Sequence, residues 1–146
     1  MKPWVIKGTL GLVVVIGAYV ILDTLIVTDE ERVREFATAL NGPVSTQYVD
    51  HLLRWVDLEV HALEVQVRGE SFLYRAGERS RLVEEAHRGL SIIMGSRVRT
   101  LSRRITIEGD DARVEVRLFS QGGVRDARFR LRRNGETWLV ERVRVM

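Results

Sequence analysis

The sequence contains no cysteine, only two prolines and only three histidines among its 146 residues. Without cysteine the chain forms no disulfide, uses no thiol nucleophile and offers no thiolate to zinc or an iron–sulfur cluster. The histidines have no partners at the spacing that metal ligands require. The sequence also lacks an HExxH pair, a glycine-rich phosphate loop and a serine elbow. We therefore predict no metal and no cofactor.

Lysine is scarce as well, because the chain has 21 arginines but only Lys2 and Lys7. The formal net charge is +3, and Lys2, Lys7 and Asp23 together contribute +1 of it. This leaves +2 for residues 28–146, so the domain is less basic than its arginine content indicates. No nucleic-acid partner is predicted.

A long apolar segment occupies residues 8–27. At about 1.5 Å per residue, a helix of this length spans about 30 Å, the thickness of the hydrocarbon core of a bilayer. Asp23 interrupts the segment near its far end, where a carboxylate can reach headgroup water. A cleaved signal peptide is the alternative, but no small-x-small cleavage triplet follows Leu22. We predict an uncleaved membrane anchor.

The charges on either side of this segment predict its orientation. Lys2 and Lys7 precede it, and the acidic stretch 28–31 follows it. Because positively charged residues stay on the cytoplasmic side, the N-terminus is expected in the cytoplasm. The domain is then expected on the periplasmic side of the inner membrane. The chain then divides into a short cytoplasmic tail with a single transmembrane helix, residues 1–27, and a soluble domain, residues 28–146.

Three segments of the domain show helical periodicity. The first opens with a capping box formed by Thr28 and Glu31 and ends at Gly42. The second begins at residue 45 or 46, and the third follows Gly77. The domain is therefore expected to contain about three helices.

Alternating apolar and polar residues predict strands in the rest of the domain. A first strand is expected from Val56, with a bulge near His61 and a return strand after Gly69. Further strands joined by hairpins occupy residues 98–145, where an Asn-Gly pair at 134–135 is a strong turn signal. The order predicts an α+β fold, with a curved antiparallel sheet packed on about three helices.

Four features of the sequence carry a family resemblance. They are the amphipathic helix 32–40, the helix 48–55, the Gly-Glu-Arg entry to the third helix at 77–79, and the closing hairpin 128–145 with Trp138. Together they resemble the nuclear transport factor 2-like superfamily of cystatin-like cone folds, which includes SnoaL-like domains. The resemblance implies a cone between sheet and helices that can hold a small molecule. It implies no single activity, because members include isomerases, dehydratases and cyclases as well as non-catalytic binding or dimerisation modules.

Polar residues that point into such a cone are candidate ligand contacts. The candidates are Asp57, His61, Tyr74 and Arg99. A carboxylate and a histidine a few residues apart on a strand can share a face, as acid–base catalysis requires. The alternative is that Asp57, Glu59 and His61 form the solvated face of the strand. We favour this alternative and assign no catalytic residue.

Arginines alternate with apolar residues along the last strands, which predicts a basic stripe on one face of the sheet. The candidate interaction residues are Arg113, Arg117, Arg128, Arg130, Arg132 and Arg142. Such a stripe can bind anionic headgroups, an acidic partner, including a second copy of the chain, or nucleic acid. The expected location outside the cytoplasm argues against nucleic acid. Simple cross-strand ion pairing is the alternative.

The sequence favours a membrane-anchored, non-catalytic domain that takes part in protein–protein assembly at the cell envelope, as a homodimer or with a partner. A small-molecule binder or enzyme that uses the cone pocket is one alternative. A component of a secretion or envelope complex is another. The geometry of the pocket distinguishes the assembly hypothesis from the enzyme hypothesis. An enzyme requires an open cone, one that is not filled by Phe36, Trp55, Phe72, Ile93 and Trp138.

Overall fold

In a computed structural model of the protein, residues 28–146 are described. The helices in this part of the chain are α1 (Asp29–Ala39), α2 (Thr46–Leu53) and α3 (Arg79–Leu90), and α3 leads into a 3₁₀ turn at Ser91–Ile93. Within the described residues no helix is long and apolar enough to cross a membrane. The predicted anchor at residues 8–27 lies outside them.

Seven strands form one curved sheet in residues 28–146. They are β1 (Gly42–Pro43), β2 (Leu63–Val67), β3 (Glu70–Tyr74), β4 (Arg97–Glu108), β5 (Asp111–Ser120), β6 (Gly123–Asn134) and β7 (Thr137–Val145). Their order across the sheet is β1-β4-β5-β6-β7-β2-β3. Neighbouring strands are antiparallel except β2 and β7, which run parallel. The α+β class is confirmed, and the antiparallel sheet is corrected by this one parallel pair.

The strand β2 begins later in the sequence than the alternation of apolar and polar residues predicted. Residues 57–60 form a turn, in which the His61 N–H donates to the Asp57 carbonyl at 3.0 Å. The Asp57 carboxylate accepts a hydrogen bond from the Glu59 N–H at 3.1 Å. This side-chain acceptor stabilises a turn in competition with a strand. The bulged strand predicted from Val56 is therefore wrong, and β2 starts after the turn.

The start of α1 is fixed by its cap and by two contacts to the sheet. The Glu31 N–H donates to the Thr28 hydroxyl and the Thr28 N–H donates to the Glu31 carboxylate, both at 3.2 Å, which confirms the capping box. The Asp29 carboxylate accepts a hydrogen bond from Trp138 at 3.1 Å and another from Arg133 at 3.0 Å. The first turn of α1 is thereby joined to β6 and β7.

The core lies between the helices and the concave face of the sheet. Phe36 on α1 packs edge-to-face against Trp55, with ring centroids 5.4 Å apart, and against Phe129, at 5.0 Å. The largest fully buried side chains are Trp138, Leu131, Val33, Val44, Val49 and Val114. Burial of each such side chain contributes roughly 1.5–3 kcal/mol.

The C-terminal end of α2 is held by contacts from two other elements. The Arg79 guanidinium at the start of α3 donates to the Val56 carbonyl at 3.0 Å. The Val140 N–H of β7 donates to the Trp55 carbonyl at 2.8 Å. These two carbonyls follow the end of α2, and a second Arg79 N–H donates to the Leu53 carbonyl of its last turn at 3.4 Å. These bonds set the positions of α2 and α3 over the sheet.

Candidate ligand-binding cavity

A cavity of about 880 Å³ lies between the concave face of the sheet and the helices. Its inner end is lined by buried residues, among them Phe36, Val56, Leu63, Leu82 and Val140. Its other end is lined by exposed residues, namely Arg68, Glu70, Phe72, Gly89 and Arg125. The cavity is therefore open at this second end, which we call the mouth.

The wall of the cavity is apolar because every second residue of β2, β6 and β7 faces it. The strand residues that form this wall are Val65, Val67, Phe129, Val143 and Val145. Trp138 is fully buried in the core, but Phe72 is 43% exposed at the mouth and Ile93 is partly exposed. The cone is thus not filled by its aromatic and large aliphatic side chains.

Strand register brings the two arginines of the mouth to one rim. Val67 on β2 pairs with Val145 on β7, and Val145 pairs with Ala127 on β6. Arg68 directly follows Val67, and Arg125 lies two residues before Ala127, on the same face of β6. Both side chains line the cavity where β2 and β7 end and β6 begins.

One polar pair lies on the wall. The Tyr74 hydroxyl donates a hydrogen bond to the Glu85 carboxylate of α3. The Arg81 guanidinium stands over the Tyr74 ring, 4.7 Å from its centroid, and its Nε is 3.9 Å from Glu85. Burial raises the pKa of Tyr74 to about 12, with a further contribution from the Glu85 hydrogen bond. The hydroxyl is therefore protonated at neutral pH and acts as a donor.

A second tyrosine of the lining is already bonded to the backbone. The Tyr48 hydroxyl donates to the Leu40 carbonyl at 2.7 Å, and burial raises the pKa of Tyr48 to about 12. Among the described residues that line the cavity there is no histidine. Residues 28–146 also contain no cluster of three side chains able to hold a metal ion.

The structure brings only one of the four predicted pocket residues to the cavity. Tyr74 lines it, whereas Asp57, His61 and Arg99 do not. Asp57 is exposed in the turn after α2, and His61 is half-buried there with its Nε2 unpaired. Arg99 is exposed on β4 opposite Phe119, which lies on the convex face. The sequence placed Asp57 and His61 on a strand that does not form, whereas Arg99 lies on its predicted strand but on the face away from the cavity.

The predicted basic stripe lies on the convex face, where acidic side chains interrupt it. Five of its six arginines are within ion-pair distance of a carboxylate: Arg117–Asp126 at 2.9 Å, Arg128–Glu115 at 3.7 Å, Arg130–Glu141 at 3.1 Å, Arg132–Asp111 at 3.6 Å and Arg142–Glu64 at 3.2 Å. The hydrogen bond from Arg117 lowers the pKa of Asp126. Arg113 has no such partner within residues 28–146. The cross-strand pairing considered above is thus present, and a partner-binding role stays a prediction.

Sequence reasoning missed several cavity residues, although two of them left a signal. Glu85 lies three residues after Leu82 on the apolar stripe of α3, where a carboxylate is unexpected. Arg125 continues the alternation of Ala127 and Phe129 toward the sheet edge. In both cases a charged residue on an otherwise apolar stripe or strand face could have indicated that the residue lines a cavity.

Comparison with known proteins identifies this arrangement. No protein-family model and no curated protein matches the chain. Among solved structures, an NTF2-like protein with a cystatin-like fold from Novosphingobium aromaticivorans is 22% identical, with a TM-score of 0.58 over 89% of this chain and 86% of that one. The domain has the NTF2-like fold.

Other structural neighbours are more distant in sequence. A protein with a cystatin-like fold from Nostoc punctiforme has a TM-score of 0.61 at 14% identity, over 80% of this chain and 89% of that one. A candidate ketosteroid isomerase from Shewanella frigidimarina has a TM-score of 0.56 at 15% identity, over 78% and 90%. At these identities the likeness establishes the fold alone. The fold predicted from the sequence is thereby confirmed for the domain.

Proposed function

We propose that this NTF2-like domain binds an apolar small molecule in the cone cavity. The open apolar cavity of about 880 Å³ is the observation that carries the proposal. Small-molecule sites are typically concave, mostly apolar and roughly 300–1,000 Å³ in volume. Transfer of apolar ligand surface from water into such a site is favourable by about 25 cal/mol per Å². The candidate ketosteroid isomerase among the neighbours supports the proposal at the level of fold.

Binding accounts for the polar groups better than catalysis does. The Tyr74 hydroxyl and the Glu85 carboxylate already bond to each other, and the Tyr48 hydroxyl is bonded to a main-chain carbonyl. Glu85 is also within 3.9 Å of the Arg81 guanidinium. A general base needs a free acceptor within reach of the proton that it removes. We therefore propose a binding module without an activity of its own.

Displacement of a neutral, polarity-sensitive dye, Nile red, from the full-length chain tests this proposal. The competitors are the primary alcohols from 1-octanol to 1-tetradecanol. Each added methylene that enters the cavity should raise the affinity about fourfold, until the cavity is filled. Affinity that is independent of chain length would contradict burial in the cavity.

Two matched substitutions separate the cavity from other apolar sites. Ala86 on α3 lines the cavity, whereas Ala76 is exposed in the turn before α3. Ala86→Phe should fill the cavity and weaken alcohol binding at least tenfold, while Ala76→Phe should leave it unchanged. Circular dichroism checks that both variants are folded. Equal binding by both variants would argue that the dye occupies another site.

We also propose the membrane-anchored assembly role that the sequence suggested. It is supported by the apolar segment at residues 8–27, behind Lys2 and Lys7. It is further supported by Arg113, which pairs in register with Arg130 on β6 and has no acidic partner within residues 28–146. In this proposal residues 1–27 hold the domain on the periplasmic side of the inner membrane. The convex face binds a second copy or a component of an envelope or secretion complex.

Two measurements test the assembly role. Intact mass of the membrane-extracted protein should equal that of the full chain, and a shorter mass would show a cleaved signal peptide. Light scattering should give a dimer or larger complex that Arg113→Glu dissociates. Arg54→Glu, an exposed arginine at the end of α2, serves as the matched control. A monomer in both proteins would contradict assembly through the convex face.

A further inference from the structure

We propose that the ligand is an amphiphile with an alkyl chain and an anionic headgroup, a carboxylate or a phosphate, held at the mouth by Arg125 and Arg68. This inference rests on the proposed binding function and names its ligand class. The alkyl chain occupies the apolar cavity, and the headgroup remains at the rim where both guanidinium groups line the opening. The arrangement joins a hydrophobic site to a charged one at a single edge of the sheet.

The two mouth arginines have no ion-pair partner within residues 28–146, whereas five of the six arginines of the basic stripe on the convex face have one. The Arg125 Nη1 donates only to the carbonyl of its neighbour Val124, at 3.0 Å. On the convex face, Arg117 and Arg142 each lie within 3.2 Å of a carboxylate oxygen. A guanidinium binds carboxylate and phosphate through paired N–H donors, which makes an anion its natural partner.

The backbone at Arg68 supplies an independent observation. Arg68 and Gly69 form the two-residue loop between β2 and β3, because Val67 pairs directly with Glu70. Both loop residues have positive φ, +51° at Arg68 and +83° at Gly69. Asparagine, aspartate and glycine are the residues that tolerate the first position of such a turn. An arginine at this position lowers the stability of the turn. This indicates that its side chain has a role in ligand binding at the mouth and not in formation of the turn.

One acidic residue of the mouth opposes the arginines. Glu70 lines the cavity beside Arg68, and its carboxylate reduces the attraction of that arginine for an anion. Arg125 has no acid beside it in the lining and is expected to contribute more to headgroup binding. The remaining carboxylate of the lining, Glu85, is bonded to Tyr74 on the wall. The excess charge at the mouth is therefore positive, which favours an anion over a cation.

Competition against Nile red on the full-length chain tests the headgroup. The competitors share one chain length: tetradecanoate, tetradecyl phosphate, 1-tetradecanol and tetradecyltrimethylammonium. An anionic compound should bind about tenfold more tightly than the alcohol, and the cation more weakly than the alcohol. The tighter of the two anions identifies the headgroup as carboxylate or phosphate.

Substitutions at the rim assign the effect to named residues. Arg125→Gln should reduce the anion-to-alcohol ratio to within about twofold, and Glu70→Gln should raise anion affinity two- to threefold. Arg68→Asn should lower the same ratio and raise Tm, because asparagine suits the turn. Arg54→Gln, at the exposed end of α2 and outside the cavity lining, is the matched control and should leave the ratio unchanged.

Two results would overturn the inference, and they are distinguishable from failure of the binding function. If the alcohol and both anions bind equally, or if Arg125→Gln leaves the ratio unchanged, no headgroup is recognised at the mouth, although the cavity still binds alkyl chains. If no competitor displaces the dye and Ala86→Phe has no effect, the cavity itself does not bind, and both proposals fail.

Discussion

The indole N–H of Trp138 donates a hydrogen bond to the carboxylate of Asp29, with 3.1 Å between nitrogen and oxygen. Trp138 is only 1% exposed and is the largest fully buried side chain of the described domain. Its N–H can only donate, so in the core it requires an acceptor. Asp29 is the first residue of α1, and this bond therefore connects the beginning of the domain to its last strand.

Loss of this acceptor should destabilise the domain. Asp29→Ala leaves the buried Trp138 N–H without a partner, which costs about 1–3 kcal/mol in the free energy of unfolding. Urea denaturation followed by tryptophan fluorescence measures the change. Glu30→Ala, one residue along on the exposed side of α1, should change stability by less than about 0.5 kcal/mol. A similar loss from both substitutions would mean that the hydrogen bond of the Trp138 indole contributes no measurable stability.

The two lining tyrosines should make the domain sensitive to alkali. In the unfolded chain a tyrosine ionises near pH 10, whereas Tyr48 and Tyr74 have pKa values of about 12 in the folded state. Between these values the unfolded chain has lost protons that the folded chain retains. The free energy of unfolding is therefore insensitive to these groups below pH 10 and falls as the pH rises toward 12.

Urea titrations at several alkaline pH values measure this fall. Tyr74→Phe and Tyr48→Phe should each reduce its slope, because each removes one shifted group. Absorbance of tyrosinate provides a second readout on the folded protein. Ionisation of both residues near pH 10 without unfolding would show that neither is shifted.

A matched pair of leucines tests the position of the core. Leu131 on β6 is 0% exposed in the core, whereas Leu101 on β4 is 54% exposed. Leu131→Ala removes buried apolar surface and leaves a cavity, at a cost of about 2–5 kcal/mol in the free energy of unfolding. Leu101→Ala should cost less than about 0.5 kcal/mol. Comparable losses at both sites would place Leu101 in an interface that the single chain does not show.

Gly89 offers a stabilising substitution at the mouth. It lies within α3, and a Cβ added there would meet no atom within 4 Å. Gly89→Ala should raise the free energy of unfolding by roughly 0.5–1 kcal/mol, because alanine loses less backbone entropy in a helix. Gly77→Ala is the contrasting control, since Gly77 has a φ of +83° and alanine should be strained there. Thermal unfolding of both variants provides the comparison.

Local signals in the sequence were sufficient for most of the fold. The capping box at Thr28, the alternation of Val114 and Val116 and the turn at Gly135 each depend on residues close together in the chain. Such signals predict an element correctly when no nearby side chain offers the backbone another partner. They failed at Asp57, where the sequence alternates as a strand would. The Asp57 carboxylate accepts a hydrogen bond from a backbone N–H and stabilises a turn instead.

The individual residues of the cavity lining could not be predicted, because they are determined by the pairing register of strands that are far apart in the sequence. Arg68 and Arg125 are far apart in sequence and reach one rim only because β7 runs between β2 and β6. The parallel pairing of β2 with β7 is a long-range choice that alternation does not encode. Tyr74 was proposed from its type and strand, but its partner Glu85 depends on how α3 crosses the sheet.

The two ends of β7 lie beside different features of the domain. Thr28 and the first turn of α1 lie beside Trp138 at the beginning of β7, while the mouth lies where β7 finishes at Val145. The preceding polypeptide therefore joins the domain at the pole opposite the opening. In the proposed tethered arrangement, the mouth would therefore lie away from the point where the preceding segment joins the domain. The proposed tethering and the proposed ligand exchange would then be independent, so that a change in one need not alter the other.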